Sequence, residues 1–163
     1  MDYLIRPCRK GEEEYAADLH KRLYSEEYGW GPAFIDYAAD ISRRFAQKEK
    51  NAREELYVAE LDGRLAGCVM LCGTEDPDVG QLRLFAVEKA FRRRGIGDAL
   101  LQACMDKAES AGYTRLVLWT ADPLTAAIRK YEKLGFTATE SVENHDWSTA
   151  GNMVLEIKME RDR

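Results

Sequence analysis

The segment Arg92-Arg93-Arg94-Gly95-Ile96-Gly97 restricts the fold more than any other, because the residue pattern changes period across it. Before it, Gln81 to Val87 sets Leu82, Leu84 and Ala86 against Arg83, Phe85 and Val87, both faces largely apolar, as in a central strand. After it, Ile96, Ala99, Leu100, Ala103 and Cys104 recur at helical spacing up to Ala111-Gly112, where a glycine closes the helix. A buried strand that passes through a glycine-containing turn into a helix requires a sheet with that helix packed on it. The turn also carries chemistry. A helix N-terminus presents unpaired N–H groups and a partial positive charge, glycines let a phosphate approach the main chain, and three arginines concentrate cationic charge. These features suit a pyrophosphate, or equally a turn shaped by two glycines beside a solvated charge run. A dinucleotide or P-loop site fits less well, since a hairpin precedes the strand and no GKS or GKT follows the glycines.

The remaining pattern predicts strand, two helices, three strands, helix, strand, helix, two strands. Tyr3 to Pro7 is a short first strand. Lys10 to Tyr28 carries Tyr15, Ala16, Leu19 and Leu23 on one helical face, Gly29-Trp30-Gly31 interrupts it, and Pro32 opens a second helix through Phe34, Ala38, Ile41 and Phe45. The polar stretch Gln47 to Glu54 ends the helical half. Leu56 to Ala59 and Leu65 to Leu71 flank Asp62-Gly63, a pair suited to the positive backbone angles of a tight hairpin. Leu116 to Trp119 is a buried strand, Asp122-Pro123 predicts an N-cap and first helical position, and that helix runs to Leu134 with Gly135 as its stop. Two strands, near Phe136 to Val142 and Met153 to Met159, finish the chain.

Composition narrows the partners. A chain of 163 residues fits one domain, and a net charge of −5 from 24 basic and 29 acidic side chains disfavours nucleic acid and anionic membrane, so any anion site is local. No apolar run is long enough to span a bilayer and the N-terminus lacks a signal-peptide core, so a cytoplasmic location is expected. Cys8, Cys68, Cys72 and Cys104 show no CxxC spacing and are read as reduced thiols; with only His20 and His145 beside them, no metal site is expected.

The second chemical segment, Leu116 to Phe136, ends in Tyr131-Glu132-Lys133-Leu134-Gly135-Phe136 on a helix that follows a buried strand. Leu82 to Val87, then Arg92 to Gly97, then Ala127, Tyr131 and Gly135-Phe136 resemble, in residues and separations, the signature of the GCN5-related N-acetyltransferases. Leu19-His20 through Tyr24, Glu27 to Trp30, Trp119-Thr120, Leu124 to Ala127 and His145 look most like the acetyltransferase domains fused behind MarR-type regulators, here without the MarR part.

The resemblance implies a mixed α/β (α+β) fold over residues 1–163: a central sheet splayed between its fourth and fifth strands, with about four helices. It implies acetyl-CoA as cosubstrate, its pantetheine arm against Phe85-Ala86-Val87, its pyrophosphate on Arg92, Arg93, Arg94, Gly95, Ile96 and Gly97, and Thr120 and Tyr131 beside it. A main-chain N–H near Phe85 would hold the thioester carbonyl where negative charge develops. Tyr131 is the expected acid, its phenol stabilising the departing thiolate. Leu124 stands where many members carry Asn, and Gln81 where some carry a catalytic Glu, which glutamine cannot replace as a base.

For deprotonation of the amine, Glu27 is the first candidate and His20 the second; a solvated helix residue is an equal reading of either. His20, Tyr24, Glu27 and Tyr28 share one face of the first helix, and with Trp30 and the hairpin residue His145 they are the expected acceptor site, suited to a small cationic or aromatic amine or to a peptide. The oligomeric state, a homodimer included, is left open. A non-catalytic acyl-CoA sensor is the rival from another class.

Overall fold

The computed structural model describes residues 2–49 and 51–162; Lys50, in the polar stretch after the second helix, lies outside them. Among the described residues the chain forms strand β1 (Tyr3–Pro7), helices α1 (Glu13–Tyr28) and α2 (Pro32–Gln47), and strands β2 (Glu55–Leu61), β3 (Arg64–Gly73) and β4 (Val79–Val87). A single 3₁₀ turn, Lys89–Phe91, leads to α3 (Ile96–Ala111), followed by β5 (Arg115–Ala121), α4 (Thr125–Lys133), β6 (Thr137–Asn144) and β7 (Val154–Asp162). One sheet takes all seven strands in the order β1-β2-β3-β4-β5-β7-β6. Only β4 and β5 run parallel. No described helix is long and apolar enough to cross a membrane.

Local chemistry accounts for most element ends. Asp62 (φ 52°) and Gly63 (φ 76°) are both left-handed, the geometry a two-residue β2–β3 turn requires. Gly112 ends α3 in the same conformation, its N–H satisfying a carbonyl of the last turn. Two helix starts differ from the expectation. α1 begins at Glu13 rather than near Lys10, because Gly11 is left-handed and the Glu12 carboxylate is taken by the Arg6 guanidinium and the Arg9 N–H. α4 begins at Thr125, so Asp122 is not its N-cap: the Asp122 carboxylate accepts the Leu155 N–H at 3.0 Å while its own N–H donates to the Leu155 carbonyl, tying the end of β5 to β7. Tertiary pairing has outcompeted a local cap.

The sheet is covered on both faces. On one, α3 packs Leu100, Leu101 and Cys104 against Leu82, Leu116, Leu118 and Phe136; on the other, α1 and α2 pack Leu19, Leu23, Phe34 and Ile41 against Met70, Leu84 and Ala86. The alternation in β4 predicts Leu82 and Leu84 on one face, yet they lie in different cores. Leu84 is left-handed (φ 53°) and the β3–β4 register slips between Cys68 and Met70, so a bulge turns the strand over at this point. Two residues earlier in its course, pairing on the other side ends as well. The β4–β5 ladder runs from Val79↔Arg115 to Leu82↔Leu118 and stops, although the strands continue to Val87 and Ala121. The sheet is open at its centre.

Candidate functional site

Two hollows meet at this opening, sharing Tyr24, Phe85 and Leu124 as lining. The first is a cleft between the α3 N-terminus, the end of β4 and α4. Phe85, Ala86 and Val87 form one side, Arg92, Arg93, Gly95, Ile96 and Gly97 the end, and Leu124 to Ala127 with Arg129, Lys130 and Lys133 the other. Backbone geometry keeps the end wall low. Arg93 (φ 65°) and Gly95 (φ 81°) are left-handed, and a Cβ on Gly97 would sit 3.2 Å from Phe85 Cζ, inside the cleft. The first amides of α3, which have no carbonyl of a preceding turn to reach, open into a space ringed by cationic side chains. Asp98, the acid of that helix turn, is engaged by Lys130 at 2.8 Å.

The second hollow lies on the opposite face of the sheet, under α2. Its floor comes from Gln81 and Arg83 of β4, Trp119 of β5 and Glu156 of β7, and its walls from His20, Trp30, Phe34, Tyr37, Ile41 and Trp147. The aromatic wall packs mostly edge to face: Trp147 lies 5.1 Å from Phe34 between ring centroids, Tyr24 lies 5.1 Å from His20 and 5.3 Å from Trp30, and Trp147 lies tilted on Trp30 at 5.0 Å. The β6–β7 loop is held on the α1–α2 corner by Gly31 N–H to the Trp147 carbonyl (2.7 Å) and Thr149 N–H to the Gly29 carbonyl (3.0 Å). Gly31 is needed there because a Cβ would meet Thr149 Cγ2 at 2.5 Å.

Some residues expected together are together, and others are not. Tyr131, expected beside the cofactor, is buried and lines the second hollow rather than the cleft, its ring edge-on to Phe85 at 6.1 Å; burial raises the phenol well above its ordinary pKa, so it stays protonated. Thr120 faces the second hollow rather than the cleft, and its buried hydroxyl finds no hydrogen-bond partner among the described residues. Tyr24 donates to the Phe85 carbonyl at 3.5 Å.

Glu27 departs from its expected place. It lines neither hollow and forms a two-pronged ion pair with Arg92 at 2.6 and 3.0 Å, which holds its carboxyl below the usual range. The pair occupies the Arg92 guanidinium too, leaving it less free for an anion than its neighbour Arg93. Arg94 instead lies over the Phe91 ring at 5.5 Å and does not line the cleft. His20 is no solvated helix residue: it is 3% exposed, its Nδ1 lies 2.7 Å from the Ala16 carbonyl, and burial pushes its pKa down to about 4. Tyr28 lines the cleft rather than the second hollow. His145 is exposed, its Nε2 3.6 Å from Glu143, and Trp147 two residues on is the loop residue that reaches the hollow.

Sequence reasoning passed over Arg83 and Glu156 as site residues, and within the hairpin Asn144-His145-Asp146-Trp147, expected to close the acceptor pocket, it chose His145 where Trp147 lines the hollow. The alternation of β7 marked Glu156 as facing away from Ile157 and Met159, which was the available signal, but that face reads as solvent until α2 and the β6–β7 loop are seen to roof it.

A model of the acetyltransferase (GNAT) family matches residues 14–136. The N-acetylaspartate synthetase of Xenopus tropicalis is 36% identical over 89 residues, 55% of this chain and 33% of that protein. N-acetyltransferase family 8 member 2 of Rattus norvegicus is 34% identical over 105 residues, 62% of this chain and 45% of that protein. The chain therefore spans less than half the length of these two relatives. The yncA acetyltransferase of Salmonella typhimurium, solved with its cofactor acetyl-CoA, shares the fold, with a TM-score of 0.75 at 18% identity over 99% of this chain and 94% of that one. With the family model spanning most of the sequence and the opened sheet built from the matched segments, this chain belongs to the acetyltransferase (GNAT) family.

Proposed function

We propose that residues 1–163 act as one N-acetyltransferase domain that moves acetyl from acetyl-CoA to a primary amine by direct attack on the thioester. The observation that carries this reading is the end of the β4–β5 ladder at Leu82↔Leu118, which lets a phosphate-suited cleft on one side meet a pocket on the other at Phe85. The Salmonella neighbour solved with acetyl-CoA supports the choice of cosubstrate.

The residues present fit that molecule. Gly97 leaves the space a Cβ would fill, and Arg93, Arg129, Lys130 and Lys133 offer cations for phosphates at an α3 N-terminus. The unpaired backbone edge of β4 past Leu82 offers amide partners to the pantetheine, while the Thr120 hydroxyl, without a hydrogen-bond partner among the described residues, faces the acceptor side. Leu124, in the position of the common Asn, lines both hollows as an apolar divider. Acetyl-CoA, when bound, supplies the activated carbonyl.

Tyr131 serves as hydrogen-bond donor to the departing sulfur rather than as a full acid. A CoA-type thiol has a pKa near 8.5 and burial has raised the phenol above 10, so complete transfer runs uphill while a donated hydrogen bond does not. The amine must lose a proton. Glu27 is spoken for by Arg92, and His20, neutral with Nδ1–H on Ala16 O, is a feeble base at a pKa of about 4. The Glu156 carboxylate lines the acceptor side and takes over as first candidate.

The test is an acetyl-transfer screen with thiol release as readout, over amino acids, polyamines, aromatic amines and peptides, followed by Tyr131→Phe with the best acceptor. We expect kcat to fall roughly 10- to 100-fold with CoA affinity kept. Full turnover in the variant removes Tyr131 from the reaction, and tight CoA binding without transfer to any acceptor favours the sensor.

A further inference from the structure

The floor of the second hollow holds two opposite charges that the protein leaves without ionic partners. Arg83 and Glu156 both line it, and among the described residues neither forms an ion pair. Among the described residues, Asn144 Nδ2 donates to the Glu156 carboxylate at 3.2 Å, and Arg83 has the Cys72 thiol for its neighbour. A guanidinium cannot discharge itself, and holding one half-buried without a carboxylate costs solvation that an acidic protein could readily recover by supplying one. The unpaired state is accounted for if a ligand supplies the carboxylate.

Register fixes where the two charges sit. Arg83 stands opposite Met70 on the α2 face of β4, two residues past Gln81, which is level with Val117 of β5. Glu156 is level with Ala121, at the end of β5 nearest the throat formed by Leu124 and Phe85. With two strand spacings across and about two residues along, their Cα atoms lie roughly 12 Å apart, more where the sheet is open. Side chains reaching in from both ends leave room for a molecule whose cation and anion are a few bonds apart, with a salt bridge of about 2.9 Å at each end. The order is functional as well: Glu156 is at the reacting end and Arg83 at the far end.

We propose that the acceptor is an amine that also carries a carboxylate, an amino acid with an apolar or aromatic body, and this rests on the acetyltransferase reading above. Its carboxylate sits on Arg83, its ammonium beside Glu156, and its body between Phe34, Tyr37 and Trp119. The ammonium gives one proton to the Glu156 carboxylate. The freed nitrogen lone pair forms the C–N bond as the thioester C–S bond breaks, the electron pair leaves on sulfur, and the thiolate, held by the Tyr131 hydroxyl, takes up the second proton, which the new amide nitrogen sheds, as CoA departs.

The chain has three tryptophans, Trp30, Trp119 and Trp147, and all three line this hollow, so intrinsic fluorescence reports on it directly. The full chain is first titrated with CoA by calorimetry, which reads the α3 cleft alone. With CoA bound, fluorescence is then followed with matched pairs: phenylalanine and phenethylamine, leucine and isopentylamine. We expect each amino acid to bind at least tenfold more tightly than its decarboxylated partner, and Arg83→Met to bring that ratio to within about threefold, with Arg83→Lys keeping part of it. In turnover, Arg83→Met raises KM for the amino acid with kcat little changed, while Glu156→Gln lowers kcat. Unchanged CoA affinity in Arg83→Met and Arg83→Lys controls for folding. Amines binding as well as amino acids, a ratio that Arg83→Met leaves intact, or no fluorescence response to either amino acid overturns the proposal. CoA binding preserved beside such a result confines the failure to the acceptor, whereas absent CoA binding brings down the acetyltransferase reading itself.

Discussion

His20 and Gly97 show how single residues are committed by their surroundings. An unfolded His20 titrates near 6.5, while the buried ring must stay neutral down to about 4, so between these values the unfolded chain binds the extra proton. The contribution of His20 is fully present above pH 6.5 and is lost as pH falls toward 4. At about 1.4 kcal/mol per pH unit it amounts to roughly 3 kcal/mol. Urea unfolding at pH 7.0, 5.5 and 4.5 is expected to show this decline in the parent, and His20→Gln is expected to flatten it. At Gly97 fold and ligand pull apart. Alanine is the better helix residue by about 0.5–1 kcal/mol, yet its Cβ would stand 3.2 Å from Phe85 Cζ in the cleft. Gly97→Ala is expected to leave thermal stability level or slightly higher and to weaken CoA about tenfold by calorimetry.

Among the elements, α1 and the turn before α3 are joined by the Glu27–Arg92 pair, and α3 and α4 by Asp98–Lys130. Both clasps hold cations of the cleft or its rim in place before any ligand arrives. Glu27→Gln removes the carboxylate that competes for Arg92, so CoA is expected to bind severalfold more tightly at low salt, with a steeper loss of affinity on raising salt, since one more cation then meets phosphate. Calorimetry at two ionic strengths decides it, and unchanged affinity and slope would show that Arg92 stays away from the phosphates. The bulge at Leu84 matters at the same scale. It lets one strand serve both cores, with Leu82 and Phe85 packed toward α3 and α4 and Leu84 and Ala86 toward α1 and α2, and it does so beside the opening.

At the level of the whole molecule, two cores on opposite sheet faces are joined through a sheet whose central ladder is four residue pairs long, so a ligand filling the opening links both halves. At a CoA concentration 100 times its Kd, mass action adds about 2.7 kcal/mol, which for a domain of this size is a rise in Tm of roughly 5–10 °C by differential scanning fluorimetry. The rise should shrink in high salt. The element order, the Asp62-Gly63 turn, the Pro32 helix start and the glycine-containing turn at Arg92 to Gly97 that opens α3 were legible in the chain, because each is dictated by period or by a backbone angle that few residues adopt. Asp122 and Glu27 were misplaced by the same reading, because their partners, Leu155 and Arg92, are brought up by folding from far along the chain, and Thr120 faces the second hollow rather than the cleft; His20 lines the acceptor-side hollow as expected, but its burial was not legible. Which segments become strands and helices, and that a glycine-containing turn opens a helix after β4, follow from the chain alone, since these depend on neighbours a few residues apart. That β4 parts from β5, that Trp147 and α2 roof the face carrying Arg83 and Glu156, and that those two charges share one hollow with no ion pair among the described residues came only with folding, because register, bulge and burial are properties of strands that meet across the sheet.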